Sequence, residues 1–434
     1  MNQSLAALLL LLLFVSLLSC YRLWLHPLRN FPGPALAAIT GWYRVYYTAI
    51  DEEGWVAHLE KLHQLYGPVI RVTPSELHFN NPDAFDDIHV TPKPSYIKDP
   101  EFYGSFVTPN AVAALHDPQK ASKRRHLLGA YFSRRSVLQL EHVVQRTVDT
   151  LIERLSTYAE TREPADLFLG YRATTLDIIT SYLFAQRFNA LDSPKFQHPL
   201  LIGLDESLRA GWLGRYLPIQ LDKWLPEWVL RKAAPKVIPL LDQVGYITRQ
   251  LDKISADPPS LHDAGHKAIF SVLFDTSKSD TGEDPWVFPK AQVIDECFSL
   301  QFAGSDTVGN ACMVGTYGLL ANKEALCRLR RELDVAWPDI HSPMTWEALE
   351  RLPYLTIVSC GTYFVHSDPD IFPEPKSFRP ERWLNKDSRI LEKYLVAFSK
   401  GPRICLGINL AWCELYLIFA NVFRKLDLEI WNTA

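Results

Sequence analysis

The chain has 434 residues, room for one large domain or two to three ordinary ones, and its 47% apolar and 22% charged residues are those of a globular protein. Lys and Arg number 45 against 49 Asp and Glu, a net charge of −4 with no polybasic tail, so there is no electrostatic footprint for nucleic acid. Seven scattered cysteines without a Cys-x-x-Cys pair exclude a disulfide framework or a zinc ribbon and read as reduced thiols in a cytosol-facing body.

Residues 1–21 carry no charged side chain, and Leu5–Leu18 is almost unbroken Leu, Ala, Phe and Val, close to the roughly 20 apolar residues that span a bilayer. The start has no basic side chain and Leu17-Leu18-Ser19-Cys20 is a poor cleavage site, which favours a retained single-pass anchor over a removed signal. Arg22, His26 and Arg29 follow at once and place the body on the cytosolic side. Prolines in His26-Pro27-Leu28-Arg29-Asn30-Phe31-Pro32-Gly33-Pro34 stop the anchor helix and make 22–40 a stiff hinge. Tyr66–Val72 reads as a turn into a short strand, with Ser75–Phe79 as its hairpin partner.

Between Lys120 and Leu140 lie Lys120, Lys123, Arg124, Arg125, Arg134 and Arg135 with no acid, a solvated helix face or an anion-facing one. Residues 141–255 repeat apolar positions at three and four, the helical period. Within them Leu201–Trp228 gathers Trp212, Leu213, Tyr216, Leu217, Trp224 and Trp228, most simply a core cluster. Residues 256–288 read as a loop around one short helix, His266–Leu273. A long helix should start near Pro289 and run to about Leu320. It holds Ala303-Gly304-Ser305-Asp306-Thr307, where Gly304 admits a flat group and Thr307 can bond back to the i−4 carbonyl and loosen the helix. Asn322 caps a following helix, Lys323–Val335, with Glu324 and Arg328 in the favourable order.

The densest chemistry is in Phe398-Ser-Lys-Gly-Pro-Arg-Ile-Cys405-Leu-Gly407. Gly401 and Pro402 make a turn, and Gly407 lets backbone approach a bulky object. Cys405 precedes an apolar helical run, Ile408–Phe423, whose N-terminal N–H groups and dipole favour a thiolate. Arg403 suits a carboxylate on whatever the sulfur holds. A thiolate on a haem iron accounts for all of these together.

Phe398, Gly401, Arg403, Cys405 and Gly407 fill a pattern, Phe-x-x-Gly-x-Arg-x-Cys-x-Gly, that resembles the haem-ligand loop of the cytochromes P-450, and the proline-rich hinge resembles that of fungal microsomal members. The resemblance implies a mostly α fold with a minor β region behind an N-terminal transmembrane helix: anchor 1–21, hinge 22–40 and a catalytic domain over 41–434. It implies haem b ligated by Cys405, with Arg403 and Arg125 on the propionates (Arg124 being the alternative to Arg125) and Phe398 beside the sulfur. Ala303 and Gly304 would flank the oxygen site, with Asp306 and Thr307 as proton relays. The partners implied are a flavoprotein reductase passing electrons from NADPH, the bilayer of the endoplasmic reticulum, and a lipophilic small-molecule substrate of secondary metabolism, which would meet the region around Leu201–Trp228.

One family feature is missing. After Leu352-Pro353-Tyr354-Leu355 the family carries a Glu-x-x-Arg helix and short strands, whereas here Thr356–Cys360 leads straight to Gly361–His366. Glu206-Ser-Leu-Arg209 matches the pattern only by chance, and the family's terminal strand pair is also lacking. Arg382, in Phe378-Arg-Pro-Glu-Arg382-Trp383, is therefore expected to be left without its partners, at a cost of about 3–5 kcal/mol if it is buried. That expectation motivates a second reading, a degenerate or mis-spliced P-450 with weak or no haem binding and no catalysis.

Overall fold

A computed structural model describes residues 3–51, 53–90, 96–104, 108–205, 226–233, 235, 238–256, 266–273, 287–355, 366–384 and 388–431. It is mostly helical, and among the described residues its sheet is a single two-stranded ribbon. The chain forms two compact units, one of residues 1–91 with 207–229, the other of 92–206 with 230–434.

The first unit begins with α1 (Gln3–Cys20), which buries none of its residues and runs into a π-helical turn, Tyr21–Leu25. Gln3–Leu25 is long and apolar enough to cross a membrane. After the hinge come α2 (Trp42–Ala49) and α3 (Gly54–Tyr66). The expected hairpin is present but shorter, with β1 (Val69–Arg71) antiparallel to β2 (Leu77–Phe79) and Ile70 opposite His78.

The hinge is not a swinging linker. The backbone N–H of Arg71 donates to the Pro32 carbonyl at 2.7 Å, and the buried Arg71 guanidinium donates to the carbonyls of Arg22 at 2.9 Å and Pro74 at 2.7 Å. Arg22 in turn donates to the Ile39 carbonyl at 2.5 Å. Gly33 lies so close to β1 that a Cβ would stand 2.4 Å from the Arg71 carbonyl oxygen, an approach only glycine permits.

The second unit is built from α4 (Pro118–Gly129), α5 (Arg134–Thr161), α6 (Leu167–Phe184), α7 (Ile238–Ala256), α8 (Lys290–Ala321), α9 (Lys323–Ala336) and α10 (Ile408–Lys425). Four of the starts have a side-chain cap: Asp117, Ser133, Asp166 and Asn322 accept from the first-turn N–H groups of α4, α5, α6 and α9. α6 is buried nearly all round, as a central helix should be, and packs along α8 in the most extensive helix contact among the described residues. α10 packs on α5 and α8 and ends in Arg424 and Lys425, which suit its C-terminal dipole. The sequence placed α8 and α9 within a residue of their observed ends, and Glu324 and Arg328 pair at 2.6 Å. The short helix expected over His266–Leu273 is a 3-10 turn, Ile269–Val272.

The stranded-charge expectation for Arg382 is corrected. Its guanidinium lies against its own loop and donates to the carbonyls of Arg379, Pro373, Glu374 and Ser377, all at 3.1–3.2 Å. Four carbonyl dipoles serve where a carboxylate was expected, so the cation is not left without partners, although burial and Arg379 still lower its pKa. Thr356–Val365, where the Glu-x-x-Arg segment was missed, lies outside the described residues, as do Trp212, Leu213, Tyr216, Leu217 and Trp224.

Candidate active site

Cys405 sits between a 3-10 turn, Gly401–Arg403, and the start of α10. Gly401 has φ +68°, the left-handed region that a glycine adopts without strain, and so turns the chain back on itself. The Cys405 N–H then donates to the Phe398 carbonyl at 2.8 Å, closing the loop into a ring. The Phe398 ring lies 5.6 Å from that of Trp412 on α10, which fixes it beside the sulfur loop.

The sulfur faces a cavity of about 580 Å3, inside the usual range for cofactor sites. Cys405, Phe398, Arg403, Gly407 and Leu410 form one side, and Ala303, Gly304 and Thr307 of α8 form another. Cys405 keeps accessible surface, and that surface opens onto the cavity. Burial pushes the thiol up, and the Gly407 N–H and Arg125, which act the other way, do not overcome it.

Of the two candidate arginines on α4, Arg125 lines the cavity and donates to the Ile404 carbonyl at 2.6 Å. Arg124 turns away. It forms a buried ion pair with Glu296 of α8 at 3.0 Å, donates to Gln292 at 2.8 Å and lies 3.6 Å over the Phe288 ring. Arg403 donates one nitrogen to the Leu115 carbonyl at 2.9 Å, while its other terminal nitrogen, Nη1, is buried with no partner. Lys98, which sequence reasoning missed, completes a trio of cations on the wall and is pushed down to about 8 by burial and by Arg403 and Arg125. No motif marks it; only the fold brings residue 98 beside 403.

The α8 segment is partly corrected. Thr307 donates to the Ala303 carbonyl at 2.9 Å, the back-bond expected from its spacing, and both residues border the cavity. Gly304 also borders it, but its missing Cβ points at α6, where it would meet Ile179 at 2.7 Å. Helix packing, rather than room for a cofactor, requires glycine there; Gly309 against Arg172 is a second such contact. Asp306 is not among the cavity residues. Its carboxylate pairs with Arg172 of α6 at 2.6 Å, and the same fully buried guanidinium holds Asp205 through two bonds of 2.9 and 3.0 Å. Burial raises the Asp306 pKa and the Arg172 charge opposes the shift.

These residues fit a flat iron macrocycle bearing two carboxylates. A sulfur opens onto the slot, three cations line it, and an orphaned guanidinium nitrogen has an unmet bond to donate. A Cβ at Gly407 would meet Phe132 at 4.0 Å, an ordinary van der Waals contact, so packing by itself does not demand glycine there. The one acid among the described lining residues, Glu414 of α10, is buried with an unpartnered Oε1, and its carboxyl is pushed well up by burial.

Comparison with known proteins follows the same lines. A family model described as Cytochrome P450 matches residues 38–359 and 356–433 in two pieces. Cytochrome P450 monooxygenase astB of Aspergillus terreus is 33% identical, covering 95% of this chain and 88% of its own length. Cytochrome P450 monooxygenase TRI4 of Fusarium sporotrichioides is 32% identical over 96% and 87%, and Conidiogenone synthase PchP450 of Penicillium rubens 30% over 97% and 91%. The astB alignment spans 463 positions, more than the 434 residues here, so that relative has residues with no counterpart in this chain. The family match breaks at 356–359, where the Glu-x-x-Arg segment was missed.

Proposed function

This chain belongs to the cytochrome P450 family, haem-dependent monooxygenases, and from that premise we propose a membrane-held enzyme that oxidises a lipophilic small molecule in fungal secondary metabolism. The observation that carries the proposal is the shared cavity, with the Cys405 sulfur and the Ala303–Gly304 wall of α8 opening onto one slot that is lined by unneutralised cations. Bound there, haem supplies oxygen activation and insertion of one oxygen atom into the substrate.

The chain's own residues hold and protect that group. Cys405 Sγ is the iron ligand, Phe398 shields it, and Gly401 and Gly407 shape its loop. Arg125, Arg403 and Lys98 receive the two propionates, and the Arg403 Nη1 hydrogen is the bond still unmade. The Thr307 hydroxyl stands on the cavity wall, where it can hold and pass a proton. Asp306 joins that transfer only when its carboxylate leaves Arg172, so it acts from behind the helix. Electrons come from NADPH through a flavoprotein reductase, and Gln3–Leu25 anchors the chain in the endoplasmic reticulum with the catalytic body in the cytosol. Fungal relatives named as a monooxygenase and as Conidiogenone synthase support the substrate class.

The second reading, a chain that does not retain haem, is favoured by the two-piece family match and by the longer relatives. One experiment separates the two: the carbon monoxide difference spectrum of the reduced, full-length protein. A thiolate-type Soret band that Cys405→Ala removes is expected. A protein that folds but takes up no haem decides for the second reading.

A further inference from the structure

The face of α8 that borders the cysteine cavity does not end with it. Ala303, Thr307 and Ala311 line that cavity, and at helical spacing the same row continues through Val314 and Gly318 to Ala321. The continuation borders a second cavity of about 660 Å3, within the usual range for small-molecule sites. Thr307, Asn310 and Ala311 border both, so the two spaces meet along one turn of α8. The far side of the second cavity is aromatic. The Phe378 ring seats on Gly318, where a Cβ would stand 2.5 Å from it, and Phe372 lies 5.9 Å from Trp383 and 5.3 Å from His366. Val314 and Tyr317 also border the space and are 66% and 52% exposed, so it is open enough to admit a molecule.

Resting on the reading of the chain as a haem-dependent oxidase of lipophilic molecules, we propose that this second cavity is a tail site for the substrate. The ligand is an uncharged, elongated lipophile with its reacting end in the cysteine cavity and its remainder lying along α8 toward Ala321. Three observations carry the assignment. The cavities are continuous on one helix face, so a single molecule can occupy both. A macrocycle seated in the first takes up much of its 580 Å3, and the second supplies room for the bulk of a substrate. The cations on the second wall are already engaged, which sets the charge of the ligand. Arg379 pairs with Glu374 at 2.5 Å, Arg382 donates to four backbone carbonyls, and Lys376 is not free. What is left for a ligand is aromatic and aliphatic surface, which rewards buried hydrocarbon and asks for no anion.

The test titrates the full-length, haem-loaded chain with N-methyl-, N-hexyl- and N-decylimidazole and follows the Soret band. The imidazole nitrogen ligates the iron, and the alkyl tail reports on the space beyond. Val314→Trp and Ala321→Trp place an indole in the second cavity from exposed positions of α8, the latter about 10 Å farther along the helix. Val314→Trp should weaken the hexyl and decyl ligands more than about tenfold, since two displaced methylenes at about fourfold each give that loss, and should leave the methyl ligand unchanged. Ala321→Trp should spare the hexyl ligand and weaken the decyl one. Partition of the ligands into detergent is common to all three proteins and cancels in their ratios. A haem-loaded chain in which neither tryptophan weakens the long ligands, or in which each weakens all three alike, overturns the tail site and leaves the haem reading intact. A chain that folds without haem and shows no Soret band overturns the haem reading and the tail site with it.

Discussion

Replacing Arg124 with Met should loosen the fold, whereas the same change one residue later, at Arg125, should spare the fold and empty the cavity. Arg124 and Glu296 are 6% and 0% exposed and pair at 3.0 Å, and Glu296 also accepts from the Val112 N–H at 3.0 Å. Removing one partner of such a pair costs about 3–5 kcal/mol, because the survivor stays desolvated. Here protonation limits the loss. Burial has already raised the Glu296 pKa to about 7 against the pull of Arg124, so the acid can take a proton when its cation is gone. A carboxyl raised in the folded state contributes stability that is fully present below its unfolded value of 4.5 and lost as pH rises through about 7. Arg124→Met raises the folded value further, so the deficit should be small at pH 6 and grow at pH 8 by about 1.4 kcal/mol per unit at most. Arg125 spends its charge on one carbonyl and on its repulsion with Lys98 and Arg403, so Arg125→Met should melt close to the wild type while losing haem. Urea and thermal unfolding of the apoprotein at both pH values, with haem stoichiometry measured alongside, decide the matter. Equal unfolding of wild type and Arg124→Met at pH 8, or a haem deficit confined to Arg124→Met, would refute the reasoning.

Gly304→Ala should cost about 1–3 kcal/mol through its 2.7 Å clash with Ile179, and Ile179→Ala in the same chain should recover part of that loss in a double-mutant cycle; additive losses would count against the contact. Glu414→Leu should raise the apoprotein melting point, since an unsatisfied buried polar atom costs about 1–3 kcal/mol, and a lower melting point would mean that Oε1 has a partner in solution. Asp306→Asn should weaken the hold on Arg172 without lowering haem content, and haem loss in that variant would place Asp306 at the cofactor instead of behind α8.

The cysteine loop was legible because its information is local: a left-handed turn needs Gly401, a ring closure needs the next few residues, and a helix follows at once. α8 was legible for a similar reason, since a proline start and 32 unbroken helical residues leave a clear pattern. What escaped depends on contacts far apart in sequence. Whether Gly304 serves a cofactor or a helix is decided by Ile179, and the direction of Asp306 by Arg172, neither of which a motif announces. The sequence preferred Arg125 to Arg124, and what it could not show is the reason Arg124 turns away, Glu296, 172 residues on. Arg382 misled because the sequence shows lost side-chain partners but not the four backbone carbonyls that replace them.

A proline-rich stretch behind an apolar helix is a semi-rigid spacer in its own right. With Arg71 gripping the carbonyl of Arg22 and its N–H fastened to Pro32, rotation about residues 22–33 would have to unbutton strand β1 first. Torque on α1 therefore reaches the hairpin directly, and the tilt of the leading helix becomes a property of the folded body it is tied to.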